Sequence, residues 1–383
     1  MEPQQQQAES LPSTVDTLAA AVLVVFTAAE ARLVTGSAVL VRAAIANPAL
    51  VPSLRGGLDR LAVETATEVL TKVRVLADQV ADTAARNGNA AAAREVRALE
   101  RRVENWTASP VSAILPHDVT ASRLIAEDLN NRLTAAAGRI TRYADDAYKA
   151  ATTAGALTQI NPARDIVRDT FQAATPQEAQ AQAWRELTAK GVTGFTDKNG
   201  REWNLATYVE MATRTATQRA YNASHRERLT LAGIHYFTIS TTGRPCPLCA
   251  PWEGVVLADA PGEVTEDGHT FTVTATIEEA TAAGLFHPNC KHTLTAYLPG
   301  FTQLKPNQWT PLDEQKYRDT QKLRALERAV RQARQVRAAA ITDTQRHQAG
   351  RDVRAAQANV RAFTTQSGLL RRARREQLNL GNE

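Results

Sequence analysis

The sequence predicts a mostly α-helical protein: a helical N-terminal region, then a small α+β domain, then a long basic C-terminal helix. Three observations predict it. Aromatics are only 5% of 383 residues while alanine is abundant, which favours helices packed closely on small side chains. Apolar residues in the first half recur every three or four positions, as one face of a helix would. All three cysteines, Cys246, Cys249 and Cys290, fall among short β-like runs in a window of 45 residues. The regions expected are 1–180, 181–301 and 302–383.

Residues 1–10 are polar and Gln-rich, and are expected to be disordered. Helical patterning then runs from about Leu11 to Ile160. Its clearest stretch is Leu58, Ala62, Ala66, Val69, Val73, Leu76 and Val80. Breaks are expected at Pro48, Pro52 and Gly56-Gly57, at Asn87-Gly88-Asn89, and at Pro110 and Pro116. His117, after a proline, reads as a surface loop residue. The apolar run Thr17–Ala29 sits between Asp16 and Glu30, and thirteen residues fall short of the roughly 20 that span a bilayer. The N-terminus also lacks the basic start of a signal peptide. The run is expected to be a buried helix, and no membrane partner is expected.

The texture changes near Asn161-Pro162 and Thr175-Pro176. In Gly191–Trp203, Asn199-Gly200 between short apolar stretches signals a tight hairpin. Asn204 suits an N-cap, and a helix is expected from Leu205 to about Leu231, stopping at Gly233. Short β-like runs follow at 234–240, 254–257 and 269–274, then a short helix at 277–283.

The sharpest motif is Cys246-x2-Cys249, then 37 residues, then His287-x2-Cys290, with His292 just beyond. Two short ligand pairs suit a tetrahedral zinc, because each turn brings two donors to one side of the ion. Pro245, Pro247, Pro251 and Pro288 stiffen the turns and so reduce the entropy lost on ligation. Cys246, Cys249, His287 and Cys290 are the first choice of ligands, and His292 competes as fourth ligand or outer partner. Sparse, odd-numbered cysteines make a poor disulfide framework. Four protein ligands leave no place for a reactive water, so Zn2+ is expected to be structural.

The stretches 191–222, 241–254, 284–300 and 317–334 resemble the MuF-like head-morphogenesis group of phage minor capsid proteins, in order and spacing. Cys-Pro-x-Cys followed by His-Pro-Asn-Cys carries most of the likeness, which covers roughly 185–335. The resemblance implies a virion protein inside the capsid, made in the host bacterial cytoplasm and present in few copies near the portal. Its implied partners are the portal protein, other capsid or scaffold proteins and the packaged DNA. Residues 1–180 would face portal or capsid. In related proteins another cysteine follows His-Pro-Asn-Cys two residues on, and here His292 takes that place. Arg214-Thr215, Arg219, Tyr221 and Asn222 also match the group's pattern; from the residues alone, they are expected to pack and hydrogen-bond to the strands. The resemblance implies no catalytic activity.

The net charge of +5 conceals a division. Residues 316–376 hold 16 Lys and Arg against 5 Asp and Glu, leaving the remainder mildly acidic. Arg328, Arg331, Arg334 and Arg337 on successive turns, with Arg371, Arg372, Arg374 and Arg375, are the candidate contacts to double-stranded DNA or to an acidic partner. With only Tyr317 and Phe363 among them, stacking on single strands is not expected and binding would be sequence-independent. Three rival readings remain, and the first, a zinc-stabilised nuclease, would need an open metal position and a base, neither of which is evident. His225-x-Glu227 before Pro245-Cys246-x2-Cys249 mimics a zinc deaminase signature, but leaves His287 and Cys290 idle. A DNA-binding regulator would want a helix-turn-helix beside the zinc unit, and none is evident.

Overall fold

The computed structural model describes residues 2–104, 106–109, 119–160, 184–189, 191–196, 202–242, 245–305 and 309–378. The Asn199-Gly200 turn, His117, and the expected breaks at Pro110, Pro116, Asn161-Pro162 and Thr175-Pro176 lie outside them. The architecture is mostly helical with a small sheet, as the composition predicted. The helices are α1 (Glu2–Ala46), α2 (Val51–Glu100), α3 (Val119–Ile160), α4 (Leu205–Leu231), the short α5 (Ile277–Ala282), α6 (Pro311–Ala338) and α7 (Asp343–Ser367).

The backbone forms two compact units, neither of them a continuous stretch. One comprises Met1–Ala21, Arg74–Arg132 and Glu210–Arg318; the other comprises Val22–Val73, Leu133–Val209 and Asp319–Glu383. Helices α1, α2, α3, α4 and α6 contribute residues to both, and α7 belongs to the second alone.

Several expected breaks are absent. The Gln-rich start is written into α1, since Gln and Glu are good helix formers. The break expected at Pro48 is present: Asn47 and the 3-10 turn Pro48–Leu50 separate α1 from α2. Pro52 is tolerated in the first turn of α2, where backbone N–H groups have no partner within the helix. Gly56-Gly57 lies within the helix. So does Asn87-Gly88-Asn89, for a packing reason: a Cβ on Gly88 would sit 2.2 Å from the Tyr221 carbonyl oxygen. Glycine there lets α2 touch the backbone of α4, rather than ending the helix. The periodic face of α2 is buried as expected, from Leu58 through Val80, with Leu76 half-buried.

The apolar stretch of α1 is longer than the thirteen-residue run. Thr14–Ala46 is long and apolar enough to cross a membrane by length and composition, and half of its most apolar window is buried inside the protein. Val22, Leu23, Phe26, Leu33 and Val34 form that buried face, in keeping with a core helix.

In the first unit a five-stranded mixed sheet has the order β5-β6-β4-β3-β7, formed by β3 (Phe237–Ile239), β4 (Val256–Ala258), β5 (Gly262–Glu266), β6 (His269–Thr276) and β7 (Leu294–Ala296). Only the β4–β6 pair is parallel. The β5–β6 hairpin turns at Asp267-Gly268, both with positive φ (50° and 77°), which is the signature of a type I′ turn. β5 is an exposed edge strand carrying Glu263 and Glu266, charges that discourage further pairing. One face of the sheet packs Phe237, Ile239, Leu257 and Leu294 against Val96 of α2 and Leu229 of α4. Thr276 and Glu279 form a reciprocal capping box at the start of α5.

In the second unit β1 (Thr193–Thr196) and β2 (Glu202–Asn204) pair antiparallel, which agrees with the hairpin expected there. Asn204 caps α4 as predicted, its Oδ1 accepting from Ala206 N at 3.1 Å and Thr207 N at 3.4 Å. Glu30 is buried and its Oε1 accepts three hydrogen bonds, from Val192 N (3.2 Å), Asn204 Nδ2 (3.1 Å) and Gln335 Nε2 (3.1 Å). Burial pushes the Glu30 carboxyl above its ordinary value, and these three donors oppose the shift.

The single C-terminal helix expected from the sequence is instead a pair. After α6 the chain turns through the buried Ala339, Ala340 and Ile341, and Thr342 caps α7 by accepting from Gln345 N at 3.2 Å. Trp184 Nε1 donates to Ala339 O at 2.8 Å, satisfying a carbonyl the ended helix has freed. Leu323 and Val330 of α6 then meet Val360 and Phe363 of α7. Folding back gives the narrow apolar stripe a partner within its own chain.

Candidate metal centre

Two turns of the same kind carry the cysteines. In the first, Cys249 N and Ala250 N both donate to Cys246 O (3.1 and 2.9 Å), and the chain enters a 3-10 helix at Ala250–Trp252. In the second, Cys290 N donates to His287 O at 2.9 Å. Asn289 makes the left-handed step at φ 66°, a conformation Asn adopts more readily than most residues.

These turns bring the sequence-predicted ligands together. Cys246 Sγ lies 2.9 Å from His287 Nε2, Cys249 Sγ 3.5 Å from Cys290 Sγ, and Cys290 Sγ 3.3 Å from His292 Nδ1. The donor atoms of Cys246, Cys249 and His287 lie within 4.8 Å of one another, and so do those of Cys249, Cys290 and His292. Cys249, fully buried, belongs to both triads. Around a tetrahedral zinc, sulfurs 2.3 Å from the ion stand about 3.8 Å apart. The observed sulfur–sulfur separation is close to that edge, and the soft, buried donor set could hold a metal ion.

The electrostatics favour ligation as well. Cys246 and Cys290 are held down to about 4 and about 3, first by hydrogen bonding to Cys249 and, against the cost of burial, by their facing imidazoles. Cys249 is pushed up, because it shares its proton with both neighbours. His287 is raised by Cys246. Burial lowers His292, but Cys290 and Glu253 outweigh it and hold the ring at about 9. Thiolate is the form in which sulfur binds metal.

The residues that brace the cluster come largely from α4. Gln218 Nε2 and Asn222 Nδ2 both donate to His292 O, at 3.0 and 3.3 Å. Asn222 therefore does what was expected of it, hydrogen-bonding beside β7. Arg214 pairs with Asp16 (2.6 Å) and Glu210 (3.0 Å), Thr215 donates to Met211 O, and Tyr221 is buried, while Arg219 is exposed. His225 sits elsewhere, its Nε2 2.8 Å from Glu95 Oε2, and it belongs to neither cysteine triad. The deaminase-like alignment of His225 with Cys246 and Cys249 thus gains nothing from the geometry. Sequence reasoning missed Glu253, whose Oε1 lies 2.8 Å from His292 Nε2. An acid four residues beyond Cys249, in an otherwise apolar Ala-Pro-Trp-Glu-Gly stretch, was the available signal.

A family model described as phage minor capsid protein 2 matches residues 59–365. The chain belongs to that family. No curated protein and no solved structure matches it. This minor capsid protein is a structural component of a phage virion, and membership speaks for a structural rather than an enzymatic role. The match takes in the whole cysteine–histidine cluster, most of α2, all of α3 and α6, and nearly all of α7. It therefore reaches well beyond the span on which the sequence resemblance rested.

The candidate DNA-contacting arginines of this minor capsid protein are not equally exposed. Arg328, Arg337, Arg372 and Arg374 are exposed. Arg331, Arg371 and Arg375 turn inward: Arg331 donates to Arg375 O, Arg371 pairs with buried Glu376 (2.6 Å), and Arg375 lies 3.8 Å from buried Glu327. Arg334 is half-buried on α6.

Proposed function

We propose that this protein acts in phage head morphogenesis inside the capsid, near the portal, as a structural element whose Cys/His cluster is closed around one zinc ion. The supporting observation is the cluster itself: three thiols and two imidazoles converge in a buried site that belongs to a capsid-protein family. Cys246, Cys249 and Cys290 supply the sulfurs, and His287 or His292 the nitrogen. Such a shell is complete without water, so it staples rather than reacts. In keeping with this reading, residues 1–180 face portal or capsid neighbours, and the basic C-terminal region contacts packaged DNA through phosphates.

Metal analysis of the purified full chain tests the staple, with one zinc per chain expected. A folded chain without metal overturns it. Co-purification with the portal protein from infected cells tests the location, and its absence there argues against it. For DNA, binding to duplex should weaken steeply with salt, and the slope should flatten when Arg328, Arg337, Arg372 and Arg374 are all replaced by Gln. A salt-insensitive interaction removes the phosphate reading.

A further inference from the structure

Glu253 is a buried acid for which a four-ligand staple has no use. It follows the 3-10 helix that leaves the first cysteine turn, and only 5% of it is exposed. Its Oε1 accepts from Thr242 N at 3.1 Å and meets His292 Nε2 at 2.8 Å. A carboxylate oxygen can only accept, so Nε2 carries the proton of this contact. The other ring nitrogen, Nδ1, is the one turned toward Cys290 Sγ, at 3.3 Å. The backbone of His292 is held as firmly, its carbonyl taking both carboxamides from α4. His287 is held differently: it is half-buried, and among the described residues its Nδ1 meets the carbonyl of its neighbour Pro288, at 2.8 Å.

We propose that Glu253 is the positioning residue of the metal centre. It fixes the tautomer and plane of His292 so that Nδ1 faces the sulfur cluster, and it clasps the first cysteine turn to the segment beyond the second. The proposal rests on the metal-centre reading above. A histidine at a metal commonly passes its second N–H to a carboxylate, and losing such an outer partner typically weakens metal affinity 10–100-fold.

The test uses the full chain with zinc, in competition with a chromophoric chelator. Glu253→Ala is expected to weaken zinc binding about 10–100-fold. Glu253→Gln keeps an accepting oxygen and is expected to recover most of that loss. Long-range 1H–15N spectra of the histidine rings supply a readout that mere packing would not move. His292 should carry its proton on Nε2 in wild type and in Glu253→Gln, and lose that preference in Glu253→Ala, with His287 unchanged. A folded Glu253→Ala chain that binds zinc within twofold of wild type overturns the proposal, as does a His292 protonated on Nδ1 alone. Should Glu253→Ala fail to fold, the proton position in Glu253→Gln decides. A wild-type chain that takes up no zinc overturns the staple and the proposal together, whereas failure in the variants alone overturns only the role of Glu253.

Discussion

The cysteine–histidine cluster of one unit and the Glu30 knot of the other are both buried, polar, and built from segments far apart in sequence. Their chemistry is opposite. The cluster gathers thiols whose ionised forms repel one another, so its best partner is a cation brought from outside the chain. The knot sets one carboxylate against a backbone N–H and two side-chain amides, all supplied by the chain itself. On the proposed zinc reading the first tie is conditional on a ligand, while the second is complete on folding but carries the cost of burying a charge.

Four measurements test this contrast. The largest effect is expected from Cys249→Ser, which removes the donor common to both triads. Zinc should be lost from the purified chain and stability should fall by at least about 3 kcal/mol, since metal binding free energy is folding free energy. Thermal melting with metal analysis checks this, and a variant with wild-type zinc and melting would dissolve the distinction. Next comes Glu30→Ala, which strands three donors facing the vacated site and should cost about 1–3 kcal/mol in urea unfolding. Chelator should leave that loss unchanged.

Glu30→Gln should have a smaller effect whose sign depends on pH. Because the folded carboxyl lies above its ordinary value of 4.5, its favourable contribution is present below that value. It is lost as pH rises through the folded value and the buried group charges. The Gln variant, which cannot charge, should match wild type under acidic conditions and gain on it toward neutral pH. Equal pH profiles for the two proteins would refute the burial argument. Smallest of all, Arg328→Ala on exposed α6 surface should change stability by no more than about 0.5 kcal/mol, whatever it does to DNA binding.

The elements best read from sequence were those with a local cause. Asn204, Gly233, the periodic face of α2 and the short ligand spacings each declare themselves within a few residues. The β5–β6 hairpin was equally open to reading, through Asp267-Gly268, but its flanking strand is too polar to stand out by alternation. Gly88 misled for the converse reason. Its local preference says turn, while its actual use is to let the Tyr221 backbone come close, and no nearby residue announces that contact.

For the candidate site, the five Cys and His residues that converge stood out because they fall in closely spaced pairs of restricted residue types. Glu253, Gln218 and Asn222 reach His292 from 39, 74 and 70 residues away, so no spacing rule ties them to it.

The helical class, the donor types and the separation of a basic end from an acidic body could all be read from residue order, because they are properties of composition and short-range period. Tertiary structure alone decided that the tail folds back as two helices, that three of its arginines turn inward, and that each compact unit draws on three distant stretches. The physical reason is that an apolar stripe or a buried charge states only that it needs a partner. Which partner it meets depends on how the whole chain packs.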